Sequence, residues 1–293
     1  MTSGYAHCYP VEDEKPLFRG QPDVSLKLLP SIARDRESAV SVSILNEERN
    51  LVEIAKIQEP TIFTNDLKPV DLLASLQHHG IPTRLLDVTE NALVALYFAC
   101  CDEKCDDKDG EVIVFKDTQT EIGNYPIIQA IADTYRLFGI AEESAKSFFR
   151  IAENMDYFAE QKYLLKLLDR DNDTYPKFES DYDNWLWEIT RKPIFIYAPF
   201  RHLRQRIQQG RYILFPNDVG CFGKSVAFKT MISPISKNNA CIATRIQIDS
   251  KSKKKILREL RLFGVSRQTL FADSVDIVCG EITKDAYSRL QDE

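Results

Sequence analysis

The chain has 293 residues, 44% of them hydrophobic and 28% charged, which excludes a wholly disordered protein. Its net charge of -6 offers no overall attraction to nucleic acid or to an anionic membrane. No apolar run approaches the roughly 18 residues that span a bilayer, and the first residues lack a basic flank. We therefore expect an unprocessed cytoplasmic protein with no membrane partner.

In the first part of the chain, the pattern predicts an early strand followed by helices. A short apolar segment at 16–21 indicates the strand. Apolar residues at helical spacing indicate helices over 38–58 and 67–79, the second ending at Gly80 as its C-terminal cap. Residues 91–101 form a third helix that is apolar nearly all round, which predicts protein contacts on every side.

Further along the chain, short β-type runs and helical patterns follow one another without regular alternation. The predicted strands are residues 111–115, 193–199, 210–216, 225–229 and 240–248. The predicted helical segments are residues 125–187, 251–263 and the stretch from about 276 to the end. The pattern predicts an α+β fold with a mixed or antiparallel sheet. We predict one domain over 16–293, after an extension at 1–15, with a mainly helical insertion at about 123–190.

A dense group of polar residues lies between the second and third predicted helices. Gly80 and Pro82 predict a sharp turn there, which would hold the following polar groups on a rigid frame. Within residues 77–89, seven side chains can form hydrogen bonds: Gln77, His78, His79, Thr83, Arg84, Asp87 and Thr89. Buried polar groups need partners or a ligand, so we predict a functional pocket here. The interior N-terminus of the third helix is then expected to hold an anion.

A structural alternative explains part of this group. Asp87 with Glu90 resembles a capping box, Thr89 is a second candidate for the cap, and Arg84 would then only pair with Asp87.

The cysteines do not predict a metal site. Seven cysteines, an odd number without a secretion signal, are typical of reduced thiols. Cys100, Cys101 and Cys105 lie close together, but no second Cys/His cluster completes a tetrahedral ligand set. We expect no metal and no required cofactor.

Four motifs resemble those of the FRG-domain family, in the same order along the chain. The naming tripeptide stands at Phe18, Arg19 and Gly20, and the family's longest motif is similar to QHHGIPTRLLDVT from Gln77 onward. The third motif is matched by Arg204, Gln208 and Gly210 in RQRIQQG, and the last by GVSRQTLFAD, where Ala272 replaces the usual proline.

The resemblance implies a bacterial or phage protein, and some family members resemble components of toxin or phage-defence systems. The early F-R-G strand is also similar to the strand on which arginine-dependent ADP-ribosyltransferases place an NAD-binding arginine. This likeness implies that Arg19 holds the NAD pyrophosphate while Arg84 or Arg204 neutralises the second phosphate. It further implies that Gln77, His78 and Thr83 position nicotinamide and ribose. Gly20, Thr89 and Gln209 are also expected among the substrate-binding residues.

The catalytic group is the weakest part of this likeness. Such transferases place a Q/E-x-E pair late in the chain, whereas the E-x-E here, Glu12 and Glu14, precedes the arginine. Asp87 is the best-placed carboxylate in the sequence, and Gln208 and Gln209 stand near the late position. Two alternatives stay open. One is a module that binds a nucleotide, a nucleic-acid end or a phosphorylated partner without turnover, and the other is a hydrolase or nuclease that uses His78 or His79 with Asp87.

Overall fold

A computed structural model describes residues 15–34, 44–116, 120–123, 126–133, 135, 192–216, 218–220, 229–272, 274, 277 and 279. Its strands are β1 (Leu17–Gln21), β2 (Leu85–Thr89), β3 (Gly110–Phe115), β4 (Thr120–Ile122), β5 (Ile194–Tyr197), β6 (Gly210–Leu214), β7 (Asp218–Gly220), β8 (Lys229–Met231) and β9 (Ile242–Ile248). Its α-helices are α1 (Glu48–Gln58), α2 (Pro69–His78), α3 (Ala92–Cys100), α4 (Pro126–Ala132), α5 (Leu203–Ile207), α6 (Lys253–Leu262) and α7 (Arg267–Leu270).

In the described part of the chain, seven strands form one sheet in the order β4-β5-β6-β2-β1-β3-β9, and β7 pairs with β8 separately. The large sheet is antiparallel throughout except between β4 and β5, which run parallel. This arrangement confirms the predicted α+β fold with a mixed sheet. It also places β1 and β2, which carry two of the sequence motifs, side by side at the centre.

Alternation along the strands gives the sheet two apolar faces. On one face, Leu17, Val88 and Ile113 pack with loop residues such as Leu28. On the other face, α2 covers Leu85, and α3 lies against β1 and β3. Side chains at alternate positions point to opposite faces, so Asp87 and Thr89 share the face of Leu85.

The third helix approaches the sheet unusually closely because two glycines lie beneath it. A Cβ atom added at Gly20 would lie 1.9 Å from the carbonyl oxygen of Ala95, and one added at Gly110 would lie 2.4 Å from that of Ala99. A side chain at either position would therefore push α3 off the sheet. The predicted helix is confirmed as α3, and these glycines explain how it packs. Its burial is not complete as predicted, because Ala92 and Leu93 in its first turn are exposed.

The structure corrects the predicted conformation of one part of residues 77–89 and shortens other predicted elements. Residues 85–89, expected in a turn that leads directly into a helix, form the central strand β2. The first predicted helix begins as α1 at Glu48 after a short 3-10 turn, and residues 38–43 lie outside the described residues. Three further predicted segments also lie wholly or largely outside the described residues. They are residues 225–228, nearly all of the predicted last helix, and the part of the helical segment 125–187 beyond α4 and its flanking residues.

Candidate functional site

A cavity of about 630 Å³ lies where β1, β2 and β6 meet α3 and the ends of α2, α5 and α7. Its volume is within the usual range for small-molecule sites. Eight of the residues expected at the site line it: Arg19, Gly20, Gln77, His78, Asp87, Thr89, Arg204 and Gln208. The three sequence motifs that contribute these residues are therefore brought together at one cavity.

The cavity adjoins a gap between two central strands. β1 and β2 are paired only at Phe18 and Thr89, whereas β2 and β6 are paired over five residues. Arg19 spans this gap, since its Nη1 donates a hydrogen bond to the backbone oxygen of Asp87. The divergence of the strands thus opens the sheet where the cavity lies.

The guanidinium of Arg19 is held in a poorly solvated position. Desolvation lowers its pKa to about 10; Asp87 opposes this shift and Arg34 adds to it. The group is still cationic near neutral pH. Its Nε is buried and has no hydrogen-bond partner among the described residues. A buried donor left unpaired is costly, and a ligand with an acceptor atom would satisfy it.

A relay of hydrogen bonds orients the carboxylate of Asp87. Buried Thr83 donates its hydroxyl to Gln77 Oε1 over 2.7 Å, and Gln77 Nε2 donates to Asp87 Oδ2 over 2.7 Å. The first bond fixes the Gln77 amide so that its NH₂ group faces the carboxylate. Gln77 and Thr83 are therefore positioned to act on Asp87, whereas the sequence suggested direct contact with a ligand.

The environment of Asp87 shifts its titration. Desolvation raises its pKa above the ordinary aspartate value, and this outweighs the opposing effects of Arg19, Arg204 and the Gln77 hydrogen bond. Its strand partner Tyr212 lies beside it, and burial together with the carboxylate raises the pKa of that phenol as well. A carboxylate with a raised pKa, oriented by an amide and near two arginines, is a recognisable candidate for catalysis.

Aromatic rings and a second arginine complete the walls. The imidazole of His78 stacks on that of His202, with centroids 3.9 Å apart and planes 3° from parallel. The guanidinium of Arg204 lies 4.0 Å from the centroid of the Phe271 ring. These contacts hold the histidine pair and the arginine in fixed positions beside the cavity.

Two residues expected at the site, Thr89 for substrate binding and Gln208 for catalysis, also have structural roles. Thr89 donates its hydroxyl to the backbone oxygen of Gln208 over 2.6 Å, which joins the end of β2 to the segment before β6. The side chain of Gln208 donates to the backbone oxygen of Leu270 over 3.1 Å, which connects this segment to α7. Both residues line the cavity and stabilise its walls.

The placement of Arg84 corrects an expectation. Its side chain is completely buried and does not line the cavity. Its Nε lies 2.8 Å from Glu48 Oε1, and its Nη2 donates to the backbone oxygen of Ala132. The sequence suggested that Arg84 neutralises a ligand phosphate or pairs with Asp87, whereas the structure places it beside Glu48 and away from the cavity lining. Arg84 joins α1, β2 and α4 inside the core.

Gln209 and Thr83 also lie outside the cavity lining. Gln209 has a φ of 47° and accepts a hydrogen bond from the backbone N–H of Glu90, so it shapes the turn before β6. The N-terminus of α3 is another correction. The side chain of Asn91 accepts from the N–H groups of Leu93 and Val94, so Asn91 is the cap, and neither Asp87 nor Thr89 is. These two amides are already satisfied and are not a ready anion site.

Sequence reasoning missed several lining residues: Tyr97, Phe98, His202, Gln205, Tyr212, Arg267 and Phe271. Gln205 and His202 lie within or beside the third motif, so proximity to it was an available signal. Phe98 and Tyr97 looked like ordinary core residues of an apolar helix. Nothing local marks the few positions of a buried helix that face a cavity.

The described part of the chain shows neither a metal-binding cluster nor a membrane-spanning helix. Among the described residues, no three histidine, cysteine or acidic side chains are arranged to hold a metal. Cys101 lines the cavity, and desolvation raises its pKa to about 11, which keeps the thiol protonated near neutral pH. In the described part of the chain, no helix has both the length and the apolar character that crossing a bilayer requires.

The fold and the cavity define an α+β protein with an arginine-lined site at a gap in its central sheet. Residues 14–108 match the family model of the FRG domain. No curated protein and no solved structure matches the chain. The matched segment includes Arg19, Gln77 and Asp87, whereas Arg204 and Gln208 lie beyond it.

Proposed function

We propose that the cavity binds a nucleotide and that NAD is the substrate, cleaved at the bond between nicotinamide and ribose. The observation that carries this proposal is the oriented carboxylate of Asp87 in a nucleotide-sized cavity that also presents Arg19 and Arg204. A carboxylate supports a developing positive charge, and arginines bind phosphates, so the site offers both chemistries that NAD cleavage needs.

Binding is supported by the cations and rings of the cavity. Arg19 contributes a guanidinium with an unpaired Nε among the described residues, and Arg204 contributes a second guanidinium near Asp87. The pyrophosphate of NAD would neutralise both. Phe98 and Phe271 line the same cavity, and aromatic side chains are suited to contact with a base.

The chemistry proposed for Asp87 is electrostatic. The bond between ribose C1′ and the nicotinamide nitrogen breaks, and its electron pair goes to that nitrogen, which becomes neutral. C1′ then has oxocarbenium character, which the ionised Asp87 carboxylate stabilises. Water, or a nucleophile of a target molecule, adds to C1′ and loses a proton to solvent. The products are nicotinamide and either ADP-ribose or an ADP-ribosylated target.

The test measures release of nicotinamide and transfer of label from NAD labelled in its adenosine part, with and without bacterial extract. Wild type is expected to release nicotinamide, Asp87→Asn to reduce the rate at least a hundredfold, and Arg19→Gln to weaken NAD binding. Arg258→Gln, on the exposed face of α6, is the matched charge control and is expected to behave as wild type. Equal rates in wild type and Asp87→Asn would overturn the catalytic proposal.

A non-catalytic nucleotide-binding module is the second candidate. The observation that favours it is the Nε of Arg19, which has no hydrogen-bond partner among the described residues. An unsatisfied donor indicates ligand binding but gives no indication of a reaction. This candidate predicts that NAD or ADP raises the melting temperature of wild type but not of Arg19→Gln, with no nicotinamide released.

A hydrolase or nuclease that uses His78 with Asp87 remains an alternative prediction, as do a toxin or phage-defence role and any protein or nucleic-acid target. Expression in bacteria tests these together. Growth arrest that is lost in Asp87→Asn but retained in His78→Ala, at equal protein levels, would support NAD chemistry. Arrest lost in both variants without NAD consumption would support the hydrolase.

A further inference from the structure

Gln205 is a buried cavity residue to which the proposed reaction assigns no role. Its side chain is only 7% exposed, and it lines the cavity from helix α5. Its Oε1 accepts a hydrogen bond of 3.3 Å from the backbone N–H of Arg201. This contact requires the oxygen on that side, so the orientation of the amide is determined by its partner.

The other end of the amide lacks a partner in the described part of the chain. Gln205 Nε2 is buried and has no hydrogen-bond partner among the described residues. A buried NH₂ group without an acceptor lowers the stability of the folded chain. A ligand atom that accepts a hydrogen bond would offset this loss.

The position of Gln205 relative to Asp87 follows from the register of the sheet. Gly210 on β6 pairs with Thr89, and Tyr212 pairs with Asp87. The side-chain direction of Gly210 faces Gln205, since an added Cβ atom would lie 3.4 Å from Gln205 Cγ. Positions 210 and 212 share one face of the strand and are about 7 Å apart. Gln205 therefore lies on the same face of the sheet as Asp87, beside the residue pair that is two positions further along the strands.

From these contacts we propose that Gln205 is a specificity-determining residue for the group bound beside Asp87. Its NH₂ donates a hydrogen bond to an acceptor on that group, which in NAD is the carboxamide oxygen of nicotinamide. This inference rests on the proposed function, because it takes the nicotinamide end to lie at Asp87. It goes beyond that function by assigning the recognition of the leaving group to one amide.

The experiment compares two probes that share the pyrophosphate. One is carba-NAD, in which a methylene group replaces the ribose ring oxygen so that the nicotinamide bond is not cleaved, and the other is ADP-ribose, which lacks nicotinamide. Dissociation constants are measured by titration calorimetry for wild type, Gln205→Met and the matched control Gln247→Met on the exposed strand β9. Gln205→Met is expected to bind carba-NAD about tenfold more weakly and ADP-ribose as wild type does.

The stability of the unliganded protein gives a second readout. Methionine removes the unsatisfied NH₂ group and keeps the side-chain length, so the melting temperature of Gln205→Met is expected to equal or exceed that of wild type. A purely structural glutamine would give a lower melting temperature and equal affinities. If Gln205→Met does not fold, Gln205→Asn withdraws the amide by about 1.5 Å and is expected to show the same selective loss of carba-NAD affinity.

The outcomes separate the two proposals. Wild type that binds neither probe overturns the proposed function, and the role of Gln205 with it. If wild type binds both probes and the Gln205 variants lose affinity for both equally, or for neither, the role of Gln205 alone is overturned. A loss confined to carba-NAD supports it.

Discussion

Gln77 Nε2 lies 2.7 Å from Asp87 Oδ2, and this contact joins the last turn of α2 to the central strand β2. The two residues are ten positions apart, on either side of the turn at Gly80. Because Thr83 holds the other end of the Gln77 amide, the carboxylate is presented to the cavity in one orientation. Gln77 and Thr83 therefore orient the carboxylate of Asp87.

Removal of the hydroxyl of Thr83 tests this relay. Thr83→Val keeps the shape but leaves Gln77 Oε1 without that donor, so we expect kcat for nicotinamide release to fall about tenfold with little change in KM. The loss of the Gln77 hydrogen bond should also shift the acid limb of the pH profile to higher pH, because that bond lowers the pKa of Asp87. Thr83→Ser retains the donor and should restore both values. A uniform rise in KM without a change in the pH limb would contradict the relay.

The raised pKa of Asp87 predicts a pH-dependent stability difference. The folded protein holds the Asp87 proton more tightly than the unfolded chain does, so wild type loses stability as pH rises from the ordinary value of 3.8 through the raised value. Asp87→Asn lacks this loss. We expect urea titrations to show the variant gaining stability relative to wild type between about pH 4 and neutrality.

A matched control for that titration is Asp23, whose pKa is lowered to about 2, chiefly by its hydrogen bond with Ser25. Its contribution is present above the unfolded value and is lost as pH falls through about 2. Asp23→Asn should therefore lose stability at neutral pH relative to wild type. If Asp87→Asn behaves in the same way as Asp23→Asn, the environment assigned to Asp87 is contradicted.

Arg84 should affect stability and leave ligand binding unchanged. Arg84→Met removes the cation that lies 2.8 Å from the buried carboxylate of Glu48, and breaking such a pair typically costs about 3–5 kcal/mol. The double variant with Glu48→Gln should recover part of this loss. Denaturation in urea measures the stability, and titration with ADP-ribose below the transition measures binding. Weakened binding by fully folded Arg84→Met would place the arginine back at the site.

Gly20 is predicted to be irreplaceable for a packing reason. Gly20→Ala places a methyl group within 1.9 Å of the Ala95 carbonyl, and we expect a loss of about 3 kcal/mol or more. Gly264→Ala is the control because its φ is +75° and nothing lies within 4 Å of the added atom. Only backbone strain acts there, and it should cost about 1 kcal/mol. Equal losses at the two glycines would show that α3 does not rest on β1 as described.

Local pattern was enough to predict much of the fold. The early strand, the helix ending before Gly80 and the buried helix α3 were predicted because composition and periodicity report burial directly. The strand β2 was missed, since the residues LLDVT carry no clean alternation beside a proline and a polar turn. Strand pairing with β1 and β6 decides its conformation, and that pairing is not a local property.

The sequence by itself determined that Arg19, Asp87 and Gln208 belong to three motifs rich in groups that bind or orient a ligand. Only the tertiary structure decided which of their neighbours face the cavity. Arg84 and Asp87 are three positions apart, yet Arg84 enters the core and pairs with Glu48, whereas Asp87 lines the cavity. The specificity role proposed for Gln205 depends on its contact with the Gly210 position, which places it on the same face of the sheet as Asp87. Side-chain direction depends on strand register and long-range packing, which a linear motif does not encode.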